Sequence, residues 1–226
     1  LFDGWGYDFV MPPVLEYLDS LLTGTGKDLD LRTFKVTDQL SGRLMGLSAD
    51  TTPQVARMDA HSWAVAGVSR LSYCRTVFHT KASSLLASRT PTQIGAEVFG
   101  EAGLGADVEI ISLMISMLES AAVAQVHLDL GHVGVFRALA AAAGLTDAQQ
   151  EEVSDLLKLK CASDIDAWAQ REVRDPVLAA AFSRLLRLQG TAQTLESALN
   201  ELAAQVPSTK AAIEDLRYVA IQVSLR

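Results

Sequence analysis

At about Val135 the sequence changes texture, and that change limits the folds open to the chain more than any other feature. Before it, β-rich runs alternate with two helical stretches and are punctuated by Gly and Pro. After it, to about Gln205, come alanine-rich amphipathic segments: "FRALAAAAG", "DAQQEEVSDLLKLK", "DPVLAAAFSRLLRLQG" and "TLESALNELAAQV". Gly144, Pro176 and Gly190 separate them. Strands followed by a block of helices read as an α+β chain. Its 226 residues, 49% of them apolar, suffice for one sizeable domain carrying a smaller insertion. The expected division is a core at 1–134, a helical insertion at 135–205 and a return to the core at 206–226. In that last stretch "TKAAIEDLRYVA" reads as a helix and "IQVSL" as a further strand of the core sheet.

Within the first part, "GYDFVMPP" predicts a short strand stopped by Pro12 and Pro13, and "VLEYLDSLL" a following helical turn or two. "RTFKVTD" and "RLMGLSAD" flank "QLSG" as a hairpin. Thr52 and Pro53 suit a helix start. "RLSYCRTVFHT" and "PTQIGAEVFG" predict two strands joined by the polar loop "KASSLLASR", and "QVHLDLG" predicts another. "ADVEIISLMISMLESAA" is a helix with Asp107 and Glu109 at its positive end. Its apolar residues run most of the way round, which predicts burial across a sheet.

The net charge of −8 disfavours nucleic acid, since phosphate contacts supply most of that affinity. No apolar run reaches the roughly 18 residues of a membrane helix. Cys74 and Cys161 have no partners at metal spacing and read as reduced thiols of a cytoplasmic protein, with no metal and no cofactor. The chain opens at Leu1 as if already inside a helix, which predicts that residues precede it.

Chemistry concentrates on "TQIGAEVF". Alternate strand residues share a face, so Gln93, Gly95, Glu97 and Phe99 point one way and Ile94, Ala96 and Val98 the other. The second face is apolar and suits a helix. On the first, Gly95 leaves room for a ligand against the backbone. Gln93 and Glu97, about 13 Å apart, could bracket a small polar ligand with a cationic group; an exposed face with a surface carboxylate is the plain alternative. In "LSADTTP", Asp50 stands where a strand end meets a helix start, either as a site residue or, like the two threonines, as a cap. Arg57 and His61 share a helical face and read as a solvated polar stripe. His79 and Lys81 open the polar loop without a nearby acid to orient the imidazole, so they make a weak catalytic pair.

Taken in order, "GWGYDFVMPPVLEY", "GLSADTTPQVARMDAH", "RLSYCRTVFHTKAS" and "TQIGAEVFG" resemble the catalytic core of class II histidyl-tRNA synthetases. They more closely resemble its synthetase-like paralogues, the regulatory subunits of ATP phosphoribosyltransferase. The resemblance is strong over about residues 1–135 and implies an antiparallel class II sheet flanked by helices. It also implies a histidine pocket made of Asp50, Thr52, Gln93 and Glu97. Where a synthetase has the arginine that holds the substrate carboxylate and the ATP α-phosphate, this chain has His79. Two positions on, Lys81 replaces an acid, so both nucleotide-site positions are degenerate. An imidazole lacks the permanent charge and fork of a guanidinium. Ser48 stands where relatives often have arginine, and the family's tyrosine-rich loop is not visible around "QVSLR".

The resemblance therefore implies a non-catalytic subunit rather than an enzyme. It would self-associate as a dimer or larger and assemble with the short catalytic ATP phosphoribosyltransferase. It would activate that subunit and make it sensitive to histidine as effector. The rival is a fragment of a histidyl-tRNA synthetase or related amino-acid-activating ligase, which would carry out histidine-dependent ATP–pyrophosphate exchange. A third reading is an α+β sensing or oligomerisation module unconnected to histidine.

Overall fold

The structure, a computed structural model, describes residues 1–24, 27–63, 65–188 and 190–225. The chain divides into two compact units, Leu1–Ala124 and Gln125–Arg226. The first contains β1 (Asp8–Phe9), β2 (Leu15–Tyr17), α1 (Leu18–Leu21), α2 (Lys27–Arg32), β3 (Phe34–Thr37), β4 (Leu44–Leu47), α3 (Thr52–Met58), β5 (Ser69–Thr76), β6 (Thr92–Phe99) and α4 (Leu104–Ser120). The second contains α5 (Val133–Ala142), α6 (Asp147–Leu159), α7 (Ala162–Glu172), α8 (Pro176–Leu185), α9 (Ala192–Ala198) and α10 (Lys210–Ser224). The α+β class stands.

Two three-stranded sheets form the first unit, in the orders β1-β5-β6 and β2-β4-β3. The β1–β5 pair is parallel, and every other pair is antiparallel. The hairpin expected around "QLSG" is β3–β4. The β5–β6 ladder sets the register of the site: Leu71 lies opposite Glu97, Tyr73 opposite Gly95 and Arg75 opposite Gln93. Beneath α3, Val10, Val55, Leu71 and Tyr73 form a small buried cluster against Met58, Trp63 and Phe99. The apolar face of β6 meets α4 as expected, with Ala96 lining a cavity of about 150 Å³ beside Ile110, Leu113 and Met117.

Several expectations give way. The "VLEY" stretch first extends as β2, because Leu15, Glu16 and Tyr17 pair with Leu47, Gly46 and Met45 before α1 begins. Helix α4 is only half-covered: Ser112 and Leu113 are buried, but Met114 is 38% exposed. Glu109 lies past its first turn and does not serve the helix dipole. Instead it accepts two bonds from Arg70, 2.7 Å from Nε and 2.9 Å from Nη2, and one of 2.7 Å from the Tyr7 hydroxyl. Arg57 is no solvated stripe, since it ion-pairs with Glu16 and donates to the Ser20 carbonyl.

"QVHLDLG" forms no strand. Its alternating Leu128 and Leu130 instead line a cavity of about 580 Å³ with Leu195, Leu216 and Val223, and among the described residues the helical unit offers no strand edge to pair with them. "IQVSL" is likewise no strand but the end of α10. The helical spacing of Ile213, Leu216, Val219 and Val223 overrides the alternation of Ile221, Val223 and Leu225. Ile221 and Leu225 are exposed, whereas Ile213 and Val219 are buried. Helix α10 packs on α5 and α9 of its own unit, so the stretch expected to return to the sheet lies in the helical unit.

That unit has its own core, centred on Trp168, Phe182, Leu139, Ile165 and Leu202. Its helices start on strong signals. Thr146 and Gln149 form a reciprocal capping box on α6, and the Asp175 carboxylate accepts the Val177 N–H just before Pro176 opens α8. Gly144 ends α5 at φ +65°, a conformation that favours glycine.

Candidate functional site

The four residues expected to form the pocket converge over the β5–β6 ladder. Asp50 precedes α3, and its Oδ1 accepts a hydrogen bond of 2.9 Å from the Gln93 side-chain amide. The same oxygen accepts the Thr52 N–H at 3.2 Å, so Asp50 caps the helix and meets β6 at once. The Gln93 carbonyl oxygen accepts the Thr51 N–H at 2.9 Å. With both ends used, the Gln93 amide orientation is fixed, and α3 is pinned to β6.

Tyr73, which the sequence reading missed, links the other two. Its hydroxyl lies 3.1 Å from Thr52 Oγ1 and 3.1 Å from Glu97 Oε1. Thr52 therefore acts through its side chain on Tyr73 rather than as a cap. The room expected above Gly95 is taken by the Tyr73 ring, which a Cβ at that position would overlap. An aromatic strand residue opposite a glycine was the available signal. Tyr73 is 3% exposed.

Burial raises the Tyr73 pKa from its ordinary 10 to about 12, and the nearby Glu97 and Asp50 charges add to the effect. A raised folded-state value stabilises the fold fully below the unfolded value of about 10, and that contribution is lost as pH rises through about 12. Phenolate absorbance of the native protein is thus expected to lag behind that of the denatured chain above pH 10, and Tyr73→Phe should remove part of the lag. An unchanged titration in the variant would contradict this assignment.

A second network lies beside the first. Glu16 takes Arg57 and the Gln54 amide, the latter at 2.9 Å. Gln54 also donates to the Pro13 carbonyl at 2.7 Å. Ser48, fully buried, lies 2.5 Å from the Gln54 carbonyl oxygen and 3.0 Å from the Asp50 carbonyl. Arg75 donates from Nη1 to the Pro12 carbonyl at 2.6 Å, while its Nε and Nη2 are buried without a partner among the described residues. Desolvation lowers its pKa, and Glu16 opposes that shift. The polar position at Ser48 is thus absorbed into a buried web joining α3 to the segment before β2.

At the loop end, His79 Nε2 lies 3.1 Å from the Ala49 carbonyl. Arg32, another residue the sequence reading missed, brings Nη2 to 3.0 Å from His79 Nε2 and 3.4 Å from Nδ1. The Ala49 carbonyl can only accept, so a bond to it needs the hydrogen on Nε2, and Nδ1 is then the ring nitrogen left to accept from the guanidinium. Lys81 is exposed and has no hydrogen bond or ion pair among the described residues. Asp50 and Glu97 likewise have no cationic partner among the described residues. The arrangement has no activated nucleophile or phosphate-cradling glycine loop. It does present two uncompensated carboxylates, and these suit a cationic ligand group.

Comparison with known proteins agrees with this layout. The family model described as histidyl-tRNA synthetase matches residues 1–225. An ATP phosphoribosyltransferase regulatory subunit from Chromohalobacter salexigens is 50% identical over 217 residues, covering 96% of this chain and 55% of the relative. The chain therefore spans little more than half of that relative's length. A structure titled ATP phosphoribosyltransferase regulatory subunit/histidyl-tRNA synthetase, from Bacillus halodurans, superposes with a TM-score of 0.86 at 25% identity, covering 99% of this chain and 57% of that one. An ATP phosphoribosyltransferase complex from Thermotoga maritima contains a chain of the same fold, with a TM-score of 0.66 at 16% identity, 99% of this chain and 72% of that one. With residues 1–225 matched by that family model, the chain belongs to the histidyl-tRNA synthetase family.

Proposed function

We propose that the chain is part of a non-catalytic regulatory subunit that assembles with the short ATP phosphoribosyltransferase, raises its activity and makes it responsive to histidine. The carrying observation is the contrast between the two ends of the site. Asp50, Thr52, Gln93 and Glu97 are linked through hydrogen bonds to one another and to Tyr73 as an amino-acid-binding floor. At the other end, the position of a synthetase's arginine is an imidazole, and the position of its acid is Lys81. Phosphoryl or adenylyl transfer needs fixed cations on the developing charge; the synthetase's own position carries no guanidinium here, and the nearby one, Arg32, is exposed and comes from another element. The names of the relatives support the same choice. The subunit would act in the cytoplasm as a dimer or larger assembly, with histidine binding its states unequally.

The test mixes the whole protein with the short catalytic subunit. Activity is expected to rise on mixing and to fall when histidine is added, while the protein alone gives no histidine-dependent ATP–pyrophosphate exchange. Exchange by the protein alone would make it a synthetase, and absence of any effect on the catalytic subunit would reject the regulatory reading.

A further inference from the structure

Resting on the amino-acid-binding reading above, we propose that Arg32 and His79 form the anion-binding end of the pocket and that Arg32 receives the ligand's carboxylate. The charges of the first unit do not all pair. In the first unit Lys35 pairs with Asp30, Arg57 with Glu16 and Arg70 with Glu109. Arg32 takes no carboxylate among the described residues, and neither Asp50 nor Glu97 takes a cation. These unmatched charges lie along one connected path. Arg32 reaches His79 Nδ1 at 3.4 Å, His79 Nε2 reaches the Ala49 carbonyl, and Ala49 precedes Asp50, which holds Gln93. A site with a guanidinium at one end and carboxylates along the floor is complementary to a small zwitterion. Its ammonium or imidazole would lie over Asp50 and Glu97, with its carboxylate toward Arg32.

The backbone that carries Arg32 is held in place before any ligand arrives, and the guanidinium itself rests against the His79 ring. The Arg32 carbonyl accepts the Thr80 N–H at 2.9 Å, and the Leu31 carbonyl accepts the Thr80 hydroxyl at 2.7 Å. These bonds tie the last turn of α2 to the chain beside His79. His79 is itself fixed from the far side of the loop, because its N–H donates to the Arg89 carbonyl at 2.8 Å. A positioned arginine loses little freedom on binding. It has five donors and spends one on the His79 ring, so a forked pair remains for a carboxylate. His79 is then a positioning residue. It stands at the synthetase's arginine position and orients an arginine supplied by a different element.

The experiment measures binding of histidine and of histamine, which lacks the carboxylate, by calorimetry to the whole protein and its Arg32→Met and Arg32→Lys variants. Wild type is expected to prefer histidine roughly 10- to 100-fold, the range of charge-assisted hydrogen bonds. Arg32→Met should lose that factor for histidine while histamine binding changes less than about threefold, and Arg32→Lys should recover part of it. Arg32 is exposed, so circular dichroism should show both variants folded. If Arg32→Met keeps the preference, or weakens both ligands equally, the carboxylate assignment is wrong while the pocket stands. If wild type binds neither ligand, the amino-acid pocket itself is wrong and this assignment falls with it.

Discussion

Gly95→Ala is expected to destabilise the sheet unit and to abolish measurable histidine binding at concentrations that saturate the wild type. The added Cβ would fall within the Tyr73 ring and hydroxyl, closer than real Cβ atoms approach a neighbour. The ring has little room to retreat. Tyr73 is 3% exposed and packed with Val10, Val55 and Leu71. Overpacking of this kind costs about 1–3 kcal/mol. Functionally the cost is larger, because the Tyr73 hydroxyl joins Thr52 to Glu97, and a displaced ring parts α3 from the carboxylate on β6. Denaturant unfolding gives the first effect and calorimetric titration the second. Gly105→Ala is the control, since nothing lies within 4 Å of a Cβ there and that glycine sits in helix α4. It should be neutral or slightly stabilising. Equal behaviour of the two variants would mean that Tyr73 is not packed against Gly95 as described.

The same contact shows how far the sequence could be read. Strand β6 was legible to the residue because its two faces carry different chemistry, and the pleat alone selects Gln93 and Glu97 as neighbours on one side. Asp50 was legible as a junction residue, and its double role as cap and partner of Gln93 resolves two readings that local sequence leaves open. The use of Gly95 was not legible. A glycine in a strand signals a close approach, but whether a ligand or Tyr73 makes it depends on the β5–β6 register. Arg32 was further out of reach. It meets His79 across a separation of 47 residues, through ties made by Thr80 that no local pattern encodes. Among the elements, the misreadings share one cause. "VLEY", "QVHLDLG" and "IQVSL" are short apolar runs whose period is ambiguous, and each takes the form its neighbours can satisfy. The first finds β4 to pair with, the second lines a cavity, and the third continues a helix.

Phe182→Ala should produce the largest loss of stability in the chain and confine it to the helical unit. Phe182 is fully buried on α8, with its ring 5.4 Å from Trp168 of α7 and 6.4 Å from Phe136 of α5, both near edge-on. One side chain thus joins three helices, and α7 and α8 pack closely against each other around it. Removing a buried phenylalanine costs about 3–5 kcal/mol, through lost burial and the cavity left behind. The neighbours cannot collapse freely into that space, because Trp168, Ile165 and Ala181 are already packed at full burial. For a unit of this size each kcal/mol moves the midpoint by roughly 4–8 °C, so a drop of about 12 °C or more is expected. The sheet unit shares no core residue with this cluster. Calorimetry of the variant should therefore separate two transitions, the helical one moved down and the other left near its wild-type position. Histidine should still raise the unmoved transition, by mass action on the state that binds it. A single transition lowered as a whole would show instead that the two cores unfold together, and the pocket would then owe part of its stability to Phe182.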